Sequence, residues 1–359
     1  MKHQQSGLTN VGILNPDGHA IGLDIGATAI RAAILTPGTT DGRPSVTVHG
    51  LGGVLLPPGA VVNGVVMDQV AVTAALRDLW SINRFECRHV ILGITNQQLV
   101  VRDMTVPNLS PEQRAKALPF QAREIVALPM DQVLIDFLQL GEVDPETDTV
   151  SGLLVATPRA PVLAAVQAVE KAKLKVARVD LSSFAALRSI AHEQLSVEAV
   201  VDIGAHLSNI VIHNQGVPKV VRTIARGGNE LTEKLIDKVG LSLDDAEAAK
   251  RQVGLTGASD EISRALSEAI RPLLAEIRSS IHYFGSTNSG AGLQRISLTG
   301  GGSLLAALAE LLGEQLGVPT NVIAPMQHIR NRFTDEHSDE QSERAATAVS
   351  VGLAMGAAA

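Results

Sequence analysis

The 359-residue chain contains a single cysteine, Cys87. Alone it can close no intramolecular disulfide and can hold neither an iron–sulfur cluster nor a structural zinc. Aromatic residues are almost as scarce, at six Phe, one Tyr and one Trp. That excludes an aromatic platform for stacking single-stranded nucleic acid. It also leaves Ala, Val, Leu and Ile to fill the interior of a chain that is 45% hydrophobic. Positive charge is in deficit: 30 Lys and Arg stand against 37 Asp and Glu, a net charge of −7. No global field therefore draws in nucleic acid or anionic lipid. No run of 18 or more apolar residues appears, and Met1 to Asn10 lacks the apolar stretch of a secretory signal. Work at a membrane would need an address supplied by a partner. The length suits two ordinary domains or one two-lobed unit.

What is present is a repeat. Ile21 to Thr28 reads as an apolar strand running into a tight turn, Asp24-Ile25-Gly26-Ala27-Thr28, followed by a second strand from Ala29 to Leu35. Ala199 to His206 repeats it with Asp202-Ile203-Gly204-Ala205-His206 and a following strand from Ser208 to His213, at an offset of 178 residues. Two copies at half-chain spacing predict two lobes related by duplication. In each turn the glycine lets backbone approach a ligand closely. Successive N–H groups can form an anion nest, and the aspartate can reach a hydrated divalent cation.

A third element completes the set. Leu293 to Thr299 alternates like a strand, Gly300-Gly301-Gly302 follows, and Ser303 to Leu316 has helical spacing with Ser303 placed to cap it. Bare backbone and a positive helix end then meet at one point, which suits a nucleotide. Between the two halves, strands are predicted at Val90 to Ile94, Leu99 to Val106, Val133 to Leu140 and Val150 to Thr157. Helices are predicted over Pro111 to Ala127, opened by Ser110, and Pro158 to Lys173. Together these describe a small inserted α/β subdomain. Asp260 to Phe284 reads as a helix interrupted at Pro272.

The paired aspartate turns and the glycine triplet resemble the two phosphate loops and the adenosine motif of the actin-like ATPase superfamily, in the same order. Ala117-Leu118-Pro119-Phe120-Gln121-Ala122-Arg123-Glu124 and Arg226-Gly227-Gly228-Asn229-Glu230-Leu231-Thr232 resemble, more narrowly, the PilM family of type IV pilus assembly proteins. The similarity runs over most of residues 20–356, with 36–66 and 326–343 left as loops. It implies an α/β, two-lobed actin-like ATPase fold with an inserted FtsA/PilM-type subdomain. The first lobe would take residues 20–89 and 161–198, with 341–356 returning to it as a connector helix. The insertion would take 90–160 and the second lobe 199–340.

The resemblance also implies ATP and Mg²⁺ as ligands. Asp24 and Asp202 would meet the cation. Gly26, Ala27, Thr28, Gly204, Ala205 and His206 would present backbone to phosphate. Arg31 stands where relatives often carry Lys and would neutralise phosphate charge. Ser208 follows the second turn, where relatives often carry Thr, and His206 departs from the family pattern. Gly227, Gly228, Glu230 and Lys250 would lie on the adenosine side, with Gly300, Gly301, Gly302 and Ser303. No residue is identifiable that would orient a water for hydrolysis, so binding is expected ahead of turnover. The implied partner is the cytoplasmic N-terminal tail of a PilN-like inner-membrane protein, gripped between the first lobe and its insertion. Pilus motor ATPases and self-association are further possibilities. An FtsA-like filament protein would end in an amphipathic membrane helix, whereas this chain ends Met355-Gly356-Ala357-Ala358-Ala359. A small-molecule kinase would need a catalytic aspartate, for which only Asp180 is placed.

Overall fold

The computed structural model of the protein describes residues 20–40, 43–190, 197–256, 261–288, 292–325, 330–331 and 344–358. Most of the expected loop at 326–343, and Asp260 at the start of the predicted helix, lie outside them.

Two sheets carry the architecture. In the first lobe, β1 (Ala20–Ile25), β2 (Ala29–Thr40) and β3 (Arg43–Leu55) form an antiparallel meander. The chain then passes through a small hairpin, β4 (Val61–Val62) and β5 (Val65–Val66), and helix α1 (Gln69–Asn83). Next, β6 (His89–Ile94) pairs parallel to β1. Strand β7 (Val100–Pro107), helix α2 (Pro111–Gln121), β8 (Val133–Asp144) and β9 (Thr149–Pro158) follow, with β9 at the centre of a separate three-stranded sheet. Helix α3 (Arg159–Lys171) leads back to β10 (Lys175–Leu181), which lies parallel to β6.

The second lobe repeats the plan. After α4 (Ser182–Ile190), strands β11 (Val197–Ile203), β12 (Ser208–Asn214) and β13 (Val217–Ile224) form the meander. Helices α5 (Gly228–Val239), α6 (Leu243–Gln252) and α7 (Glu261–Thr287) precede β14 (Arg295–Thr299), α8 (Leu308–Leu316) and β15 (Thr320–Val322). The two sheets read β3-β2-β1-β6-β10 and β13-β12-β11-β14-β15, with a short β16 (Arg330–Asn331) added to β3. Each is a three-stranded meander followed by two parallel strands, so the repeat of sequence is a repeat of topology.

Four expectations change. Residues 36–66 are not a loop, because β2 continues to Thr40 and β3 pairs with it along its length. The Gly- and Pro-rich stretch is held extended by its neighbour despite poor strand propensity. Val90 to Ile94, assigned to the insertion, instead lies within β6 between β1 and β10 in the first-lobe sheet. The helix opened by Ser110 ends at Gln121 and passes into a single 3₁₀ turn, Ala122–Glu124. Its start is as predicted: Ser110 and Gln113 form a reciprocal capping box and Pro111 occupies the first position. Finally, α7 continues through Pro272, held by Leu266, Ile270, Leu273, Leu274 and Ile277 buried on one face.

The cores are aliphatic. Val201, Ile203, Ile210, Ile212, Leu235 and Leu298 fill the second lobe, and Leu23, Ile30, Leu76, Leu79 and Leu92 the first. Each buried side chain of this kind is worth about 1.5–3 kcal/mol relative to exposure. Trp80 and Phe85 meet edge to face at 5.5 Å, and the Trp80 indole N–H donates to the Cys87 carbonyl at 2.8 Å. The last helix, α9 (Ala348–Ala358), packs on α4 and across β1, where small residues let backbones approach. The Ser189 hydroxyl there donates to the Ala348 carbonyl at 2.8 Å.

Candidate functional site

The two aspartate turns are superimposable in their bonding. Gly26 N–H donates to the Ala29 carbonyl at 3.0 Å, and Gly204 N–H to the Leu207 carbonyl at 2.9 Å. Their ladders close with Ile25 opposite Ile30 and Ile203 opposite Ser208. Among the described residues, the N–H groups of Ala27, Thr28, Ala205 and His206 find no hydrogen-bond partner, leaving them available to an anion. Thr28 is exposed at the tip of its turn, and Ala27, Ala205 and His206 are half-buried.

Asp24 and Asp202 stand two residues before Gly26 and Gly204, and the Asp202 charge is felt at Asp24 in the other lobe. Burial pushes the Asp24 carboxyl up to about 7, the Arg31 cation opposes this, and the Asp202 charge adds to it. Asp202 is likewise raised by burial, against a hydrogen bond from Asn209 and the field of Arg31. Two crowded, desolvated carboxylates with one guanidinium nearby hold negative charge at a cost, which a divalent cation would relieve. Arg31 lies directly across the ladder from Asp24.

The glycine triplet reaches the same place. Gly300 has φ +82°, and a β-carbon on it would lie 2.4 Å from Asp202 Oδ1 and 2.5 Å from the Ile203 carbonyl oxygen. Gly301 is exposed, and Gly302 passes within contact of Ile203 and Gly228. Ser303 does not cap a helix. Its hydroxyl turns inward to the Gly300 carbonyl at 2.7 Å, closing a 3₁₀ turn over Gly301–Leu304, and α8 begins only after Ala307. A left-handed residue at Ala307, φ +64°, separates the two. The connector segment reaches this loop too, since the Ala345 carbonyl accepts from Gly300 N–H at 3.1 Å and from the Thr299 hydroxyl at 2.8 Å.

The remaining candidates are brought to the second turn, where most are already engaged. Gly228 and Asn229 donate their N–H groups to the Gly204 and Ala205 carbonyls at 2.9 and 2.8 Å, so the start of α5 braces the turn. A β-carbon on Gly227 would strike those same two carbonyls at 2.4 and 2.5 Å. Lys250 Nζ donates to the Gly228 carbonyl (3.1 Å), Thr232 Oγ1 (2.6 Å) and Glu247 Oε1 (2.7 Å). Burial lowers its pKa against the pull of Glu247. Glu230 accepts from Arg226 at 2.6 Å. Ser208 is fully buried and donates to the Arg226 carbonyl at 2.9 Å, which commits its hydroxyl to the loop between β13 and α5. His206 holds its Nδ1 enclosed, without a partner among the described residues. Asp180 is committed to the Arg188 guanidinium and the Leu181 N–H, so it is not free for a substrate hydroxyl.

Two neighbours of the site escaped the sequence reading. Asn209 faces Asp202 as Arg31 faces Asp24, and Thr95, at the end of β6 in the other lobe, donates to Asn209 Oδ1 at 3.0 Å. The duplication offset, applied to Arg31, points to Asn209. Nothing in the sequence points to Thr95.

Two sheets of one topology, each carrying an aspartate-bearing hairpin turn, define the two-lobed actin-like ATPase fold. The family model of the Type IV pilus assembly protein PilM matches residues 22–358. The chain belongs to that family. A solved PilM-PilN type IV pilus biogenesis complex contains a chain 26% identical to this one, with a TM-score of 0.82 over 95% of this chain and 98% of that one. The ethanolamine utilization protein EutJ from Carboxydothermus hydrogenoformans shares the fold at 15% identity and a TM-score of 0.52, over 95% of this chain and 90% of that one. No helix among the described residues is long and apolar enough to cross a membrane.

Proposed function

We propose that this protein is an ATP-binding adaptor of the type IV pilus assembly machinery, docking on the cytoplasmic tail of a PilN-like inner-membrane protein. The observation that carries the nucleotide half is the matched pair of raised carboxylates, Asp24 and Asp202, on two identically bonded turns. The partner half rests on family membership and on similarity to a chain solved in complex with PilN.

The donor set suits Mg²⁺. No group of three or more acidic, His or Cys ligands occurs among the described residues. Asp24 and Asp202 would therefore supply the protein's share of the coordination, and phosphate oxygens and water the rest. Bound there, the cation would neutralise phosphate charge and hold the phosphates against the turns. The free N–H groups of Ala27, Thr28, Ala205 and His206 would cradle phosphate oxygens, and Arg31 would balance the charge that remains. Gly300 to Gly302 would leave room for the nucleoside. Lys250 and Glu230 would shape the pocket through the α5 start and the Arg226 loop. The site offers clamps for phosphate, and the output of this adaptor is its occupancy by nucleotide. The membrane address comes from the partner.

The test combines two titrations. ATP binding by the wild type should depend on Mg²⁺, and Asp24→Ala or Asp202→Ala should weaken it at least ten-fold. A labelled peptide of the PilN-like tail should bind the wild type. Unchanged ATP binding in both variants would remove the assigned cleft, and absence of peptide binding with or without ATP·Mg²⁺ would remove the adaptor reading.

A further inference from the structure

One run of hydrogen bonds leaves the carboxylate site and crosses between lobes. Asn209 Nδ2 donates to Asp202 Oδ2 at 3.4 Å, while Asn209 Oδ1 accepts two hydroxyls, Thr223 of the second lobe at 2.9 Å and Thr95 of the first at 3.0 Å. With both hydroxyls on its oxygen, the amide turns its N–H toward Asp202. The next residue along the chain, Asn96, belongs to another junction. Its Nδ2 donates to Thr157 Oγ1 at 2.6 Å, and its Oδ1 accepts from Gln98 N–H at 2.9 Å. Asn96 starts the turn into β7, the first strand of the three-stranded sheet, and Thr157 lies near the end of β9, the strand by which the chain leaves it. The pair therefore pins the entry and exit of that subdomain to each other. Asn96, Thr157 and Asn209 are each less than 5% exposed.

The bond to Asp202 is the weakest of the run, because 3.4 Å is long for N–H···O. A cation at the paired carboxylates would draw Asp202 toward itself, and the amide would lose its only link to the carboxylate. The Asn209 side chain would then be held by the two hydroxyls alone, one from each lobe, and the inter-lobe bond to Thr95 would adjust. Thr95 is covalently joined to Asn96, so such an adjustment is delivered at the subdomain's hinge. The same sheet offers a control away from this junction: Thr105 and Ser151 pair with each other across an exposed ladder at 3.3 Å, and among the described residues their hydroxyls make no other hydrogen bond.

We propose that Asp202–Asn209–Thr95, continued by Asn96–Thr157, is the positioning relay through which ATP·Mg²⁺ changes the affinity of the inserted subdomain for the partner's tail. This rests on the adaptor reading above, and the experiment separates the two. The peptide of the PilN-like tail is titrated into the wild type without and with saturating ATP·Mg²⁺, and the ratio of the two Kd values is the readout. A wild-type ratio of about five-fold or more is expected. Thr95→Val should bring it to within about two-fold of unity while binding ATP·Mg²⁺ within about three-fold of wild type. Thr95→Ser, which keeps the hydroxyl, should restore the wild-type ratio, and Thr105→Val should leave it unchanged. A merely structural Thr95 would lower thermal stability and leave the ratio intact. Thr157→Val makes the same test from the far end should Thr95→Val fail to fold.

The proposal is overturned if Thr95→Val keeps the wild-type ratio, or if the wild type binds both ligands with a ratio of one. In both cases the adaptor reading survives. If the wild type binds no peptide, or no ATP, the adaptor reading fails and the relay falls with it.

Discussion

Gly300 faces the Asp202 carboxylate at a range that admits no side chain: a β-carbon there would stand 2.4 Å from Oδ1. Its φ of +82° is also one that L-residues avoid. Gly300→Ala therefore has to displace either the carboxylate or the loop. The overlap and the backbone strain should cost about 1–3 kcal/mol each. Calorimetry should show a lowered unfolding temperature and at least a ten-fold loss of Mg²⁺-dependent ATP binding. Gly301→Ala, on an exposed residue with no protein atom near its added methyl, should leave the unfolding temperature close to wild type.

Stability without nucleotide should depend on pH with a definite sign. The Asp24 carboxyl lies near 7 in the folded protein, against an ordinary value of 3.8. Between those values the folded state holds a proton that the unfolded chain has released, so stability falls as pH rises through this window. Urea midpoints measured from pH 5 to pH 7.5 should decline. Asp24→Asn, which cannot ionise, should flatten the decline, and Asp202, raised by its own burial, should account for the slope that remains. A midpoint rising with pH in the wild type and not in Asp24→Asn would contradict the assignment.

Lys250 has three partners within 3.1 Å. Lys250→Met should accordingly act as a stability mutation first. It leaves Glu247 and the Gly228 carbonyl short of a donor, at a cost of about 1–3 kcal/mol. Because α5 braces the second turn through Gly228, part of that loss should also appear as weaker ATP binding. Saturating ATP·Mg²⁺ should therefore raise the unfolding temperature of the variant less than it raises that of the wild type.

What could be read from sequence was whatever is decided locally. The two aspartate turns, the Ser110 cap and the repeat at 178 residues depend on neighbours a few positions away, and all appear in the structure. Periodicity identified β6 as a strand but could not tell which sheet it joins, since a buried strand looks the same in either. Ser303 had the residue type and spacing of a cap, yet the left-handed Ala307 starts the helix later and the serine closes a tighter turn. Asp24 and Asp202 are positioned by their own strands, whereas the partners of Lys250 and Ser208, namely Glu247, Thr232 and the Arg226 carbonyl, are set by tertiary contacts. Thr95 owes its place to a contact between the two lobes, which no local pattern encodes.

The one tryptophan is buried in the first lobe, anchored through its indole N–H to the Cys87 carbonyl. The lone tyrosine, Tyr283, is more than half exposed on α7 in the second. Excitation at the red edge of the absorption band therefore addresses one lobe alone. An unfolding curve followed by emission reports the first lobe, while circular dichroism reports the whole chain. Comparing the two with and without nucleotide would show whether the lobes melt as one cooperative body or in succession, with no label attached to the protein.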